Sequence, residues 1–135
     1  MGGWYTIGIV AGLGCAFGIL VAGAVPRYVV AIAAAVVGGV VVGFLVWDWD
    51  EAVGGAVGAV CGAIGSGPLV RGALRRGGTR GGTALLLAVA ALVGAALAFV
   101  PVVGYLEALA VPALGARLRS RAPERHAGLR SLARD

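Results

Sequence analysis

Long apolar runs, cut apart by short clusters of charge, glycine and proline, dominate the pattern along this chain. The runs cover about 4–25, 28–47, 52–70 and 84–100, with a further apolar stretch at 102–116. Each of the first four approaches the roughly 20 residues that carry a helix across a hydrocarbon core of about 30 Å at 1.5 Å per residue. The pattern predicts an all-α fold: a small polytopic transmembrane helix bundle with four spans plus a short returning or re-entrant C-terminal segment. Residues 117–135 follow as a basic tail.

The breaks between runs are chemically specific. Trp4-Tyr5 opens the first run as an aromatic pair suited to a membrane interface, and Pro26-Arg27 closes it. Ala22-Gly23-Ala24 has the form of a signal-cleavage site, but no Lys or Arg precedes the run, which is also longer than a signal core, so it reads as a mature span. The second run ends in Trp47-Asp48-Trp49-Asp50-Glu51, where Asp48 and Glu51 have the spacing of a capping box at the start of the next helix. The third ends at Gly67-Pro68, before an Arg- and Gly-rich loop over 71–83 in which Thr83 is the expected N-cap of the fourth.

Residues 84–116 admit two layouts. As one straight helix they would run to about 50 Å, too long for a single crossing. Pro101, Gly104 and Pro112 interrupt them. Either 84–100 crosses once and the remainder lies on the far surface, or the chain turns near 101–104 and comes back. Arginine favours the hairpin, because it gathers all 11 basic residues on one side with the N-terminus outside and the C-terminus in the cytoplasm of a cell membrane.

Small residues form stripes within these runs. Gly54, Gly58, Gly62 and Ser66 recur every four residues, as do Ala31, Ala35, Gly39 and Gly43. Residues four apart share a helix face, so this small-xxx-small, glycine-zipper pattern predicts helix-packing interfaces. In lipid, helices associate through close van der Waals contact, which small residues permit. Either the stripes only pack the helices of one protomer, or the third run, with glycines on more than one side, meets a second copy as well.

Composition sharpens the class. The chain is 60% hydrophobic and 13% charged, against about a quarter charged in soluble domains. The net charge of +5 comes from arginine alone. Without aromatic interleaving or a recognisable module, that charge reads as topology control and contact with anionic lipid headgroups by Arg71, Arg75, Arg76 and Arg80, and not as nucleic-acid binding. Cys15 and Cys61 lie inside apolar runs as small hydrophobes.

Little catalytic chemistry is on offer. Glu107 is the one ionisable residue inside an apolar run, and such a group is a functional hypothesis by default. Its bland alternative is a position near the outer interface, in reach of water. Asp48, Asp50 and Glu51 lack the rest of an oxygen cage, so they read as helix caps and no metal site is expected. His126 is the sole histidine and lies in the tail, where no Ser/His/Asp or Cys/His arrangement forms around it. No cofactor is implied. The expectation is a non-enzymatic membrane protein, a glycine-packed oligomer-forming scaffold or accessory subunit of a larger membrane complex. Its rival is a homo-oligomeric channel or small transporter that uses Glu107, with a lysis-type pore former as a weaker third.

Overall fold

A computed structural model describes residues 3–46 and 48–120. They form five helices: α1 (Gly3–Ala24), α2 (Tyr28–Val46), α3 (Trp49–Arg75), α4 (Arg80–Leu97) and α5 (Pro101–Ser120). No strand occurs among the described residues. The first four helices are long and apolar enough to cross a membrane. The protein is therefore an all-α bundle of the multi-pass membrane class. Trp47 and the tail from 121 onward, including His126 and the possible last helix around Leu129 and Leu132, lie outside the described residues.

The bundle is built around α1, which touches each of the other four helices. Its direction relative to them follows from which glycines meet which residues. Gly54, Gly58 and Gly62 of α3 face Ile7, Ala11 and Cys15 in turn, so α1 and α3 run parallel. Gly43 and Gly39 of α2 meet Glu51 and Gly55, in reverse order, so α2 is antiparallel to both. Gly23 packs on Ala84 and Leu87 while Gly12 packs on Ala98, which sends α4 back along α1. Gly104 then sits on Gly8, and Gly115 on Gly65, so α5 descends beside α1 and α3. Residues 84–116 thus form a hairpin. Its turn sits level with Gly8 and Gly12, short of the N-terminal end of α1.

Burial follows this plan. The apolar window of α1 is 61% buried, whereas those of α2 and α4 are 22% and 17% buried. The latter two turn rows of Val and Leu outward, among them Val37, Val41, Leu85 and Leu92. In a bilayer such faces meet acyl chains and need no protein partner.

Three boundaries differ from the sequence expectation, one of them the end of α5, which runs to Ser120 and not to 116. The third helix does not stop at Gly67-Pro68 but continues to Arg75 with Pro68 inside it. A break at Pro68 would strand several backbone groups near hydrocarbon, whereas continuing forfeits about one hydrogen bond. The helix ends at a Schellman motif instead: Gly78 N–H donates to the Ala73 carbonyl at 3.0 Å and Gly77 N–H to that of Leu74 at 3.2 Å. Gly77 takes the left-handed conformation this motif needs, with φ of 83°. The N-cap of α4 is Thr79, not Thr83; its hydroxyl accepts from Gly82 N–H at 3.1 Å. Thr83 instead turns its hydroxyl back to the Thr79 carbonyl at 2.9 Å. Moving the cap shortens the loop to Arg76–Thr79. Pro112 likewise stays within α5.

A Cβ on Gly58 would meet the Ala11 carbonyl oxygen, and one on Gly62 that of Cys15. Backbone cannot yield as a flexible side chain does. Gly58→Ala and Gly62→Ala are each expected to destabilise the bundle by about 1–3 kcal/mol or more. Gly81, with open space around it in the first turn of α4, is the control: Gly81→Ala should leave stability unchanged or raise it by up to about 1 kcal/mol. Reversible denaturation in mixed micelles checks both.

Candidate functional site

The parallel and antiparallel arrangement sorts charge to the ends. Arg27, Arg71, Arg75, Arg76, Arg80, Arg117 and Arg119 all lie at the end where α1 and α3 finish. Asp48, Asp50 and Glu51 lie at the opposite end. Among the described charged residues, Glu107 alone lies between.

At the acidic end Asp48 caps α3 and the reciprocal capping box forms, with the Asp48 N–H donating to Glu51 at 3.3 Å. The Glu51 carboxylate also accepts the Thr6 hydroxyl at 2.7 Å, tying the start of α3 to that of α1. Glu51 is accordingly buried. Trp49 packs edge-on against Phe44 with centroids 5.4 Å apart, and Tyr105 donates its hydroxyl to the Trp4 carbonyl. Aromatic and carboxylate groups are therefore engaged in closing this end. Among the described residues no group of three metal-ligating side chains converges.

The small-residue stripes face inward. Gly54, Gly58 and Gly62 are taken up by α1, and Gly39 and Gly43 of α2 by α3. Ala35 is fully buried in a cluster with Ala31, Ala59 and Ala63. Ser66 is buried and returns its hydroxyl to the Gly62 carbonyl at 2.6 Å, so it spends its polarity within its own helix. Glycines on the other sides of α3 are occupied as well, Gly55 by Gly39 of α2 and Gly65 by Val111 of α5. Three helices of the same chain thus fill the several-sided glycine surface of α3.

Glu107 lies about two turns into α5. Its backbone carbonyl is 3.9 Å from the Cys15 thiol, level with the middle of α1. Its carboxylate is turned toward Gly94 of α4, where a Cβ would stand 3.7 Å from the nearer oxygen and 3.9 Å from the Ala16 methyl. The group is half-buried between α5, α4 and α1.

The four loop arginines fall into two sets. Arg71 and Arg75 extend α3, Arg76 is its C-cap, and Arg80 opens α4. The turn thus separates Arg76 from Arg80. Arg71 and Arg80 line a partly open cavity of about 240 Å³ between the ends of α1 to α4, with Tyr28, Thr83, Val25 and Leu74 also in its wall. The Arg71 guanidinium lies over the Tyr28 ring, 5.2 Å from its centroid. That ring in turn rests on Gly67, where a Cβ would come within 2.7 Å of it. The cavity was not legible beforehand. Its one sequence signal is a tyrosine beginning a span whose partner helix carries glycine at the same depth.

No family model, curated protein or solved structure matches this chain.

The Thr6–Glu51 contact carries a testable consequence. Thr6→Val keeps the side-chain shape but leaves the Glu51 carboxylate one donor short, with an expected loss of stability. Glu51→Gln in the same background should recover part of it, because a neutral amide is cheaper to leave under-bonded. A two-mutation thermodynamic cycle in micelles reads the coupling.

Proposed function

We propose that this multi-pass membrane protein is a non-enzymatic scaffold or accessory membrane subunit. One observation supports this reading best. Within the bundle, backbone meets backbone along α1 and α3, at Gly14, Gly18, Gly58 and Gly62. Such contacts supply rigidity and neither a nucleophile nor a lined path. With those glycines occupied inside one protomer, assembly with a second copy or a larger complex falls to the outward faces of α2 and α4. The arginine-bearing end belongs in the cytoplasm of a cell membrane, against anionic headgroups, and the acidic, aromatic end outside.

The experiment is reconstitution. Protein in liposomes is expected to pass no ions across a range of pH and voltage, and intramembrane crosslinking from positions such as Val37 and Leu92 is expected to trap oligomers or a native partner. A protein that is monomeric and without partners under crosslinking in its native membrane would overturn the scaffold.

The position of Glu107 favours a second reading, a homo-oligomeric channel or small transporter. A carboxylate level with the middle of α1 and turned toward Gly94 and Ala16 is costly in hydrocarbon, which supports a functional role for it. A pore otherwise lined by Gly, Ala and Val would be hydrophobic and gate by dewetting. On this reading liposomes conduct, and Glu107→Gln changes the rate or selectivity severalfold. Silent liposomes exclude it.

Orientation has its own test. Single cysteines at Arg76 and Arg119, in a background lacking Cys15 and Cys61, should both react with an impermeant thiol reagent from the cytoplasmic side, and one at Asp50 from the outside. Labelling of the two arginine positions from opposite sides would contradict the topology.

A further inference from the structure

We infer that the cavity between the basic ends of α1 to α4 is a discrete binding site for a phosphate-bearing anion, the headgroup of an anionic glycerophospholipid. The inference rests on the reading of this end as the headgroup-facing one, and goes further by naming a site, its ligand chemistry and the residues that hold it.

Charge comes first. Seven arginines gather at this end, and none of the described carboxylates lies there. Arg71 and Arg80 reach the cavity from different helices, so a ligand between them meets two guanidinium groups. Neither has a hydrogen-bond or ion-pair partner among the described residues. Guanidinium presents a planar fork of donors that fits the oxygens of a phosphate, often two at a time.

Arg71 is also held in place. A long side chain at a lipid interface normally loses conformational freedom on binding. Here the guanidinium already rests on the Tyr28 ring, and that ring is fixed by the notch at Gly67. A cation stacked on a ring face keeps its edge N–H groups for another partner. The positive end of the α4 dipole, capped at Thr79, adds to the field from the same side.

Size and wall set the class of ligand. The cavity is about 240 Å³, of headgroup dimensions and too small to bury acyl chains as well. Its buried wall is small and apolar, with Ala22, Ala31 and Gly67, and Val25, Val70 and Leu74 add apolar side chains around it, which suits a glycerol backbone beside the phosphate. A polyanion such as nucleic acid would gain nothing from such a wall. Arg75 and Arg76 do not line the cavity, although they carry the same charge at the same end. That difference separates a built site from diffuse attraction.

The test is lipid retention by the full chain in detergent, followed by native mass spectrometry with phosphatidylglycerol or phosphatidylcholine added. Wild-type protein should retain one phosphatidylglycerol in preference to phosphatidylcholine. Arg71→Gln and Arg80→Gln should each weaken retention about tenfold or more, the worth of a charge-assisted hydrogen bond. The double variant Arg75→Gln/Arg76→Gln should retain lipid as wild type does. Tyr28→Phe, which keeps the ring, should behave like wild type and Tyr28→Leu like Arg71→Gln; unchanged helicity and elution confirm that each variant is folded. Free glycerol phosphate tests the source of the anion. Failure to compete assigns the site to lipid, and full competition at similar concentration assigns it to a soluble phosphate ester. Equal weakening by the two arginine pairs would overturn the site while leaving the basic end as a headgroup-facing surface. No retention of lipid or glycerol phosphate by wild type would overturn the site too, and thiol labelling then reports separately whether the orientation stands.

Discussion

Contact between the backbones of α1 and α3 is the constraint on which the rest of this bundle depends. Lipid tails are as apolar as leucine, so burying leucine between helices gains little in a membrane, and close approach must supply the attraction. Gly14 and Gly18 of α1 and Gly58 and Gly62 of α3 provide it reciprocally, each bringing its own Cα against a carbonyl of the other helix. Once these two helices are locked in parallel, the chain needs α2 as a return leg, and Gly39 and Gly43 seat that leg on α3. The α4–α5 hairpin then closes the remaining side of α1 through Gly12 and Gly104, while Gly115 seats α5 on Gly65 of α3. Chemistry is left to the ends, where helices diverge and side chains find room.

That division explains why the two ends differ. At the acidic end polar groups are consumed by structure: Asp48 and Glu51 cap α3 and Thr6 pins Glu51 to α1. At the basic end they are not. The arginines there are more numerous than any described partner, two of them converge on a cavity, and one is held ready by an aromatic ring. Unspent, positioned positive charge beside an apolar wall suits an anion, whereas the polar groups of the acidic end are already bonded within the fold.

Much of the architecture was legible in the sequence because lipid leaves few alternatives. Apolar runs of crossing length located the helices, the Asp48–Glu51 spacing located a cap, and the distribution of arginine favoured a hairpin over residues 84–116. Prolines misled at Pro68 because in water a helix readily ends before proline, while near hydrocarbon a helix carries it. Thr83 looked like a cap only so long as the Gly-Arg segment before it was read as loop; Thr79 does the same work one turn earlier. On α1 the pairs Gly8/Gly12 and Gly14/Gly18 each recur at four residues, and only the fold shows that they form two faces, one for α4 and α5 and one for α3. The Arg71–Tyr28–Gly67 stack joins residues far apart in the chain, and no local pattern announces it.

The central claim is that α1 and α3 of one chain meet backbone to backbone in parallel register. Solid-state NMR of isotope-labelled protein in lipid bilayers measures this directly, through contacts between the Ala11 carbonyl and Gly58 and between the Cys15 carbonyl and Gly62. The account predicts short-range cross-peaks for both pairs, undiminished per labelled chain when labelled protein is diluted into an excess of unlabelled protein. Loss of those peaks on dilution would mean that the glycines join two copies, and their absence in any sample would mean that the helices do not meet there.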